Sequence, residues 1–196
     1  RGDTLAILDV DGDFVPLTVS TDTAQDAKTA MKPKDAVKYV KSTVGLNTSY
    51  GAAYYPWVVG RDVNGGADIY LPPSVPVLGT LSSTKKNAAL WFAPAGFNRG
   101  GLGDSKISGL NISGVARNLN LAERDILYAG NVNPIANFAG EGIVVFGQKT
   151  LQFTPSALDR VNVRRLLNYV KAEVTSISRN ILFEPNVQQT WNNFKG

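Results

Sequence analysis

Asp9 and Asp11 are the first residues whose type and spacing could do chemistry, since they follow the apolar run Leu5-Ala-Ile-Leu8 in the stretch Asp9-Val-Asp-Gly-Asp13. An apolar strand that ends in Asp-x-Asp-Gly brings two carboxylates to one end of a sheet. Asp9 would then attack phosphorus as a nucleophile, Asp11 would handle the leaving-group proton, and Mg²⁺ would screen the charge. Such a site needs a lysine and an acidic pair at later strand ends, and no clear candidates follow. The plainer reading of Asp11-Gly-Asp13 is a turn that closes a buried strand. A calcium loop fits less well, because Gly12 is the fourth residue from Asp9 where the loop needs the sixth. In Gly100-Gly-Leu-Gly-Asp-Ser-Lys106, Asp104 and Ser105 separate glycine from lysine, and a carboxylate inside a phosphate cradle repels phosphate. That stretch reads as a surface loop.

Cysteine and histidine are both absent. Their absence removes disulfides, thiolate nucleophiles, Ser-His triads and histidine-bound zinc from what this chain's own residues can build. Arg1-Gly-Asp3, Asn47-Thr-Ser49 and Asn111-Ile-Ser113 match short adhesion and glycan motifs and are read as chance. The remaining candidates are basic. Arg164, Arg165, Lys171 and Arg179 flank one long helix, either as a solvated face or as a row able to bind the carboxylates of an acidic partner.

That helix is predicted over residues 161–183, with Val163, Leu166, Leu167, Val170, Val174, Ile177 and Ile181 on one stripe facing a sheet. The basic residues fall off the stripe. Before it, Gly142-Ile-Val-Val-Phe-Gly147 predicts a strand covered on both faces and central in the sheet, because a half-wet strand would alternate. Residues 5–8 form an earlier strand, and 18–32 a polar loop. Pro33 opens a helix to about Val44, with Gly45 and Asn47 stopping it. Residues 50–59 are rich in aromatic and β-branched types, but Pro56 puts that strand at an edge or a bulge. Asn64-Gly-Gly66 is a turn. Ser74 is the expected cap of a short helix that fades near Lys85-Lys-Asn87. Residues 93–119 form a long Gly-, Asn- and Ser-rich loop region in which Ile107, Leu110, Ile112 and Val115 could make a brief strand. Asn120 and Glu123 have capping-box spacing, and Gly130 ends the helix between them and it.

Strands that alternate with helices give an α/β (or α+β) fold: a layered mixed sheet flanked by helices, with parallel neighbours joined by crossovers. A chain of 196 residues that is 43% hydrophobic suits a single domain over 1–196. The net charge is +4, with ten basic and nine acidic residues through position 100 and ten and seven beyond. No patch or arm of one sign marks a nucleic-acid binder. No apolar stretch approaches the roughly 20 residues that span a bilayer. Arg1-Gly-Asp-Thr leads into a strand without the pattern of a leader, and the first residue is not Met, as in an excised or processed piece.

Five longer runs carry a family likeness: Phe92-Ala-Pro-Ala-Gly-Phe-Asn-Arg-Gly100, Asn133-Pro-Ile135, Gly142-Ile-Val-Val-Phe-Gly-Gln-Lys-Thr150, Asp159-Arg-Val-Asn-Val-Arg-Arg-Leu-Leu-Asn168 and Leu182-Phe-Glu-Pro-Asn186. With Ala6-Ile-Leu-Asp9 and Tyr54-Tyr-Pro-Trp57 they resemble, in order and over nearly the whole chain, the contractile tail sheath protein of tailed bacteriophages. The resemblance implies a structural subunit without catalytic centre or cofactor, located in the virion tail and assembled in the host cytoplasm. It also implies hexameric rings stacked around a tail tube, contraction that drives the tube through the host envelope, and partners in sheath subunits, tube, baseplate and tail terminator. It implies neither nucleic-acid contact nor membrane insertion. Residues 184–196 then form a truncated tail before a missing C-terminal part with a linking arm. Arg164, Arg165, Lys171 and Arg179 become candidates for gripping the tube. The competing resemblance, of Asp9 and Asp11 to a Mg²⁺-dependent haloacid-dehalogenase-type phosphatase, is weaker, because Asp13 stands where that family prefers Thr or Val.

Overall fold

The short apolar runs pair into two sheets, and a computed structural model describes them over residues 2–10, 31–61, 68–102 and 111–195. The first sheet has the order β1 (Ala6–Asp9), β2 (Gly51–Tyr55), β6 (Val132–Phe138), β7 (Gly142–Val145). β1, β2 and β6 run parallel, with Ala6 opposite Gly51 and Ala53 opposite Val132. β7 returns antiparallel to β6. The second sheet is antiparallel, with β3 (Val58–Gly60) between β4 (Ile69–Leu71) and β5 (Ile112–Val115). This is the layered mixed α/β arrangement expected. The residues 11–30 and 103–110, with Asp11, Asp104, Ile107 and Leu110, lie outside the described residues, as does the Asn64-Gly-Gly66 turn.

Every residue of β2 is buried, because both faces of the sheet are covered. Ala52 and Tyr54 join a cluster with Val77, Leu81, Ile135 and Val161; Ala53 and Tyr55 join another with Ala36, Val40, Leu127 and Val132. The single strand expected over 50–59, at an edge or with a bulge, is therefore two strands, neither at an edge, and the second has a register irregularity between Val59 and Gly60. The chain leaves the centre of one sheet at Tyr55 and enters the centre of the other at Val58, so Pro56 falls between ladders, where no N–H is required.

β7 is also corrected. It is covered on both faces at Ile143, Val144 and Val145, yet it is the last strand of its sheet, and Phe146 points into solvent. Its outer edge is occupied by residues 96–102 of the expected loop. Leu102 N donates to Ile143 O at 2.7 Å, Val145 N to Gly100 O at 2.8 Å and Gly96 N to Val145 O at 2.9 Å. A Cβ at Gly100 would stand 2.6 Å from Val145 O, so only glycine lets the strap lie this close.

Helix α1 (Pro33–Lys38) continues as a π turn over Tyr39–Val44 and stops at Gly45, whose φ is 60°. Helix α2 (Ser74–Asn87) has Pro73, not Ser74, as its N-cap. Helix α3 (Leu121–Ala129) has the full capping box: Asn120 Oδ1 accepts from Glu123 N at 2.9 Å, and Glu123 Oε2 accepts from Asn120 N at 3.1 Å. Helix α4 (Val161–Ser178) ends earlier than expected and passes through a 3₁₀ turn over Arg179–Ile181. The stretch read as a polar tail contains helix α5 (Gln188–Lys195).

Candidate functional site

Helix α4 sits with its polar stripe inward. Val161, Arg164, Arg165 and Asn168, at offsets that share one face, are its buried residues, with Arg164 7% and Arg165 9% exposed. Leu167, Val170, Val174 and Ile177 stand in solvent at 43–46% exposure. The apolar stripe expected against the sheet thus faces out, and the two arginines expected on the solvated side are buried. The reason lies in what the turn before β2 and helix α2 offer. Arg164 Nη2 donates to Ser49 Oγ and its guanidinium stacks 4.0 Å from the Tyr50 ring centroid; Arg165 Nη2 donates to Leu81 O at 3.1 Å. Among the described residues no carboxylate pairs with either. Arg164 Nε, Arg165 Nη1 and Asn168 Oδ1 are buried with no hydrogen-bond partner, as is Tyr54 Oη. Burial holds the Arg165 guanidinium below its ordinary range against the opposing pull of Tyr54, and burial pushes the Tyr54 hydroxyl up despite Arg165.

Lys171 and Arg179 remain outside, two turns apart, and with Asp3, Ala172, Thr175 and Ser176 they line one groove. Lys171 Nζ also reaches Gly2 O at 3.3 Å. The structure therefore divides the four basic candidates into a buried pair and an exposed pair.

Asp9 is engaged elsewhere. Its Oδ1 accepts from Ser74 N at 2.6 Å and its Oδ2 from Ser74 Oγ at 2.7 Å, so this carboxylate caps α2 from across the fold. Both oxygens a nucleophile would use are committed.

A second surface has no forerunner in the sequence reading. Phe97, Phe138 and Phe146 stack at centroid distances of 4.9–5.6 Å. Beside them opens a cavity of about 380 Å³ lined by Leu121, Arg124, Asp125, Tyr128, Phe146 and Gln148 among others. Lys149 Nζ lies 4.5 Å from the Tyr128 ring, the Arg160 guanidinium 5.8 Å from it, and Arg124 4.8 Å from Phe138. Its residues come from the strap, α3, β6 and the end of β7, so no single periodicity could have found them.

Both surfaces present large apolar side chains to solvent. No family profile matches the chain. Curated relatives do, among them the tail sheath protein of Vibrio phage KVP40, 33% identical over 171 residues, covering 87% of this chain and 24% of that protein, and that of Enterobacteria phage T4, 31% identical over 185 residues, covering 92% and 26%. Among solved structures, the PVC sheath complex of an extracellular contractile injection system in its contracted state is 27% identical, with a TM-score of 0.65, covering 91% of this chain and 43% of that one. The chain spans about a quarter of the length of the curated relatives it matches. Over that span, with a matching mixed α/β fold and surfaces suited to contact, it belongs to the contractile tail sheath proteins.

Proposed function

We propose that the chain serves, as part of a sheath subunit, in stacked hexameric rings around a tail tube, and that contraction of the array drives the tube through the host envelope. The observation that carries this is the outward apolar face of α4, Leu167, Val170, Val174 and Ile177, above a polar inner face. Contiguous apolar surface of this kind marks contact with other protein. Contraction is then rigid-body movement between packed subunits, with some lateral contacts exchanged and others kept. Other sheath subunits and the baseplate are the partners, with the tube and the tail terminator at the inner wall and the upper end. Of the four basic candidates, Lys171 and Arg179 are the two at the surface, and they are proposed to face an acidic tube surface, Lys171 with the contacts it makes inside the chain kept. The work is mechanical, in the virion tail, after assembly in the host cytoplasm, and no cofactor or catalytic step takes part.

Electron microscopy of the complete protein tests this. Tubes with six-fold end-on symmetry are expected. Discrete monomers or closed dimers, under conditions where the protein stays folded, would remove the sheath reading.

A further inference from the structure

Phe183 is 101% exposed, and its φ is 71°. A bulky side chain gains nothing from that left-handed conformation, and no burial compensates it. Outliers of this kind point to a role in contact, since the fold itself has no use for them. On either side stand Leu182, also exposed, and Glu184, a solvent-facing carboxylate followed by Pro185.

The cavity beside α3 has the complementary chemistry. Its apolar walls include Leu121, Tyr128, Pro134 and Phe146, and its volume of about 380 Å³ is within the range of pockets that take small ligands or side chains. Next to Tyr128 stands Lys149, whose ammonium is held below the usual lysine range first by burial and then by the Arg160 charge. Arg160 is paired with Asp159 at 3.2 Å, whereas among the described residues Lys149 forms no ion pair and feels Asp159 only from farther off. Lys149, over the Tyr128 ring that forms part of the wall, and Arg124 in the lining therefore favour a carboxylate beside an aromatic ring, even with Asp125 at the cavity wall.

We infer that the Leu182-Phe183-Glu184 segment of a second copy of this chain docks in the cavity, with the Phe183 ring against Leu121, Tyr128 and Phe146 and the Glu184 carboxylate on Lys149. This rests on the reading of the chain as part of an assembling sheath. A projecting ring and a receiving cavity on different parts of one surface make a head-to-tail contact, which propagates into an array where a self-complementary patch would close a dimer. Lys149 and Glu184 set the register, and the ring supplies the buried surface.

The test is a fluorescent peptide spanning residues 181–187, titrated against the Phe183→Ser chain, which cannot compete with its own segment. Saturable binding is expected. It should weaken about tenfold or more with Lys149→Glu or with Leu121→Ser, the latter a substitution at an exposed position that leaves the fold intact. A peptide carrying Glu184→Lys should recover binding to the Lys149→Glu chain. Binding that does not saturate, or that ignores both protein substitutions, overturns the inference. In the complete protein the two ideas separate: tubes that form equally well with Phe183→Ser end the docking proposal and leave the sheath reading standing. A peptide that docks as described on a chain whose complete protein makes no tubes does the reverse.

Discussion

Helix α3 turns Leu127 into the core and is closed at its N-terminus by its own Asn120 and Glu123. Helix α4 turns two arginines inward, has no side-chain cap and leaves four apolar side chains in solvent. Both are amphipathic in sequence. The difference shows that a helix's start is a local matter of hydrogen-bonding spacing, whereas its buried face is chosen by the acceptors and rings on the surface it meets. Ser49, Tyr50 and Leu81 gave the guanidiniums of α4 somewhere to go.

The largest effect that could break this contrast comes from placing one carboxylate on each helix. Leu127→Asp should cost about 4 kcal/mol, because it buries an unpaired charge in the cluster around Val132 and Ala53. Val170→Asp should cost less than about 0.5 kcal/mol, since that side chain is already in water. Urea denaturation of the two variants decides it; equal losses would mean that the outer face of α4 is covered in solution.

The buried arginine can be questioned more finely. Arg165→Ala should destabilise by about 2 kcal/mol, through lost packing and the lost hydrogen bond to the Leu81 carbonyl. Arg165→Met should be close to neutral, because an apolar chain of similar length avoids desolvating a charge that has no counter-ion among the described residues. A Met variant as unstable as the Ala variant would show that the charge itself stabilises the fold.

Tyr54 and Tyr55 lie on opposite faces of β2, one in the cluster that α4 joins and the other in the cluster that α3 joins. Burial raises both hydroxyls, Tyr55 from 10.0 to about 12, with Arg117 opposing and Glu123 and Asp35 assisting. A raised folded value means the unfolded chain releases its proton first, so stability is intact below pH 10 and falls as pH rises toward 12. For Tyr55 the loss is about 2 kcal/mol, at about 1.4 kcal/mol per pH unit. Tyr55→Phe should flatten this alkaline decline but lose the bond to Met31 O, whereas Tyr54→Phe, at an unpartnered hydroxyl, should flatten it with little change at neutral pH. Thermal melts between pH 7 and 12 measure both.

The smallest effect tests the α3 cap. Glu123→Ala should cost about 1 kcal/mol at neutral pH. The hydrogen bond from Arg117, at 2.7 Å, holds the Glu123 carboxyl below its ordinary value. The stabilisation it gives is present above that ordinary value, lost as pH falls through the depressed one, and absent from the variant. A variant with an unchanged acid limb would remove Glu123 from the cap.

What could be read from the sequence was whatever neighbours in the chain decide. The Asn120 and Glu123 pair fixed the start of α3, Pro33 and Gly45 fixed the ends of α1, and Ile143 to Val145 announced a strand covered on both faces. The runs that resembled tail sheath proteins were legible for a different reason, since they are long and correctly ordered. What escaped depends on distant partners. Asp9 caps a helix that begins 65 residues later, so its carboxylate looked like a nucleophile with nothing to do. The inward turn of Arg164 depends on Ser49, 115 residues away, and the stripe rule therefore chose the wrong side. Phe97, Phe138 and Phe146 come from three separate segments and form a surface only once the strap lies along β7.

That strap gives the first sheet a direction. With residues 96–102 hydrogen-bonded along β7, the backbone groups at that end are already spent. Among the described residues β1, at the other end, pairs with β2 alone. The strap therefore closes the β7 end of the sheet to any strand arriving from elsewhere, with glycine at position 100 letting it lie close enough to act as the stopper.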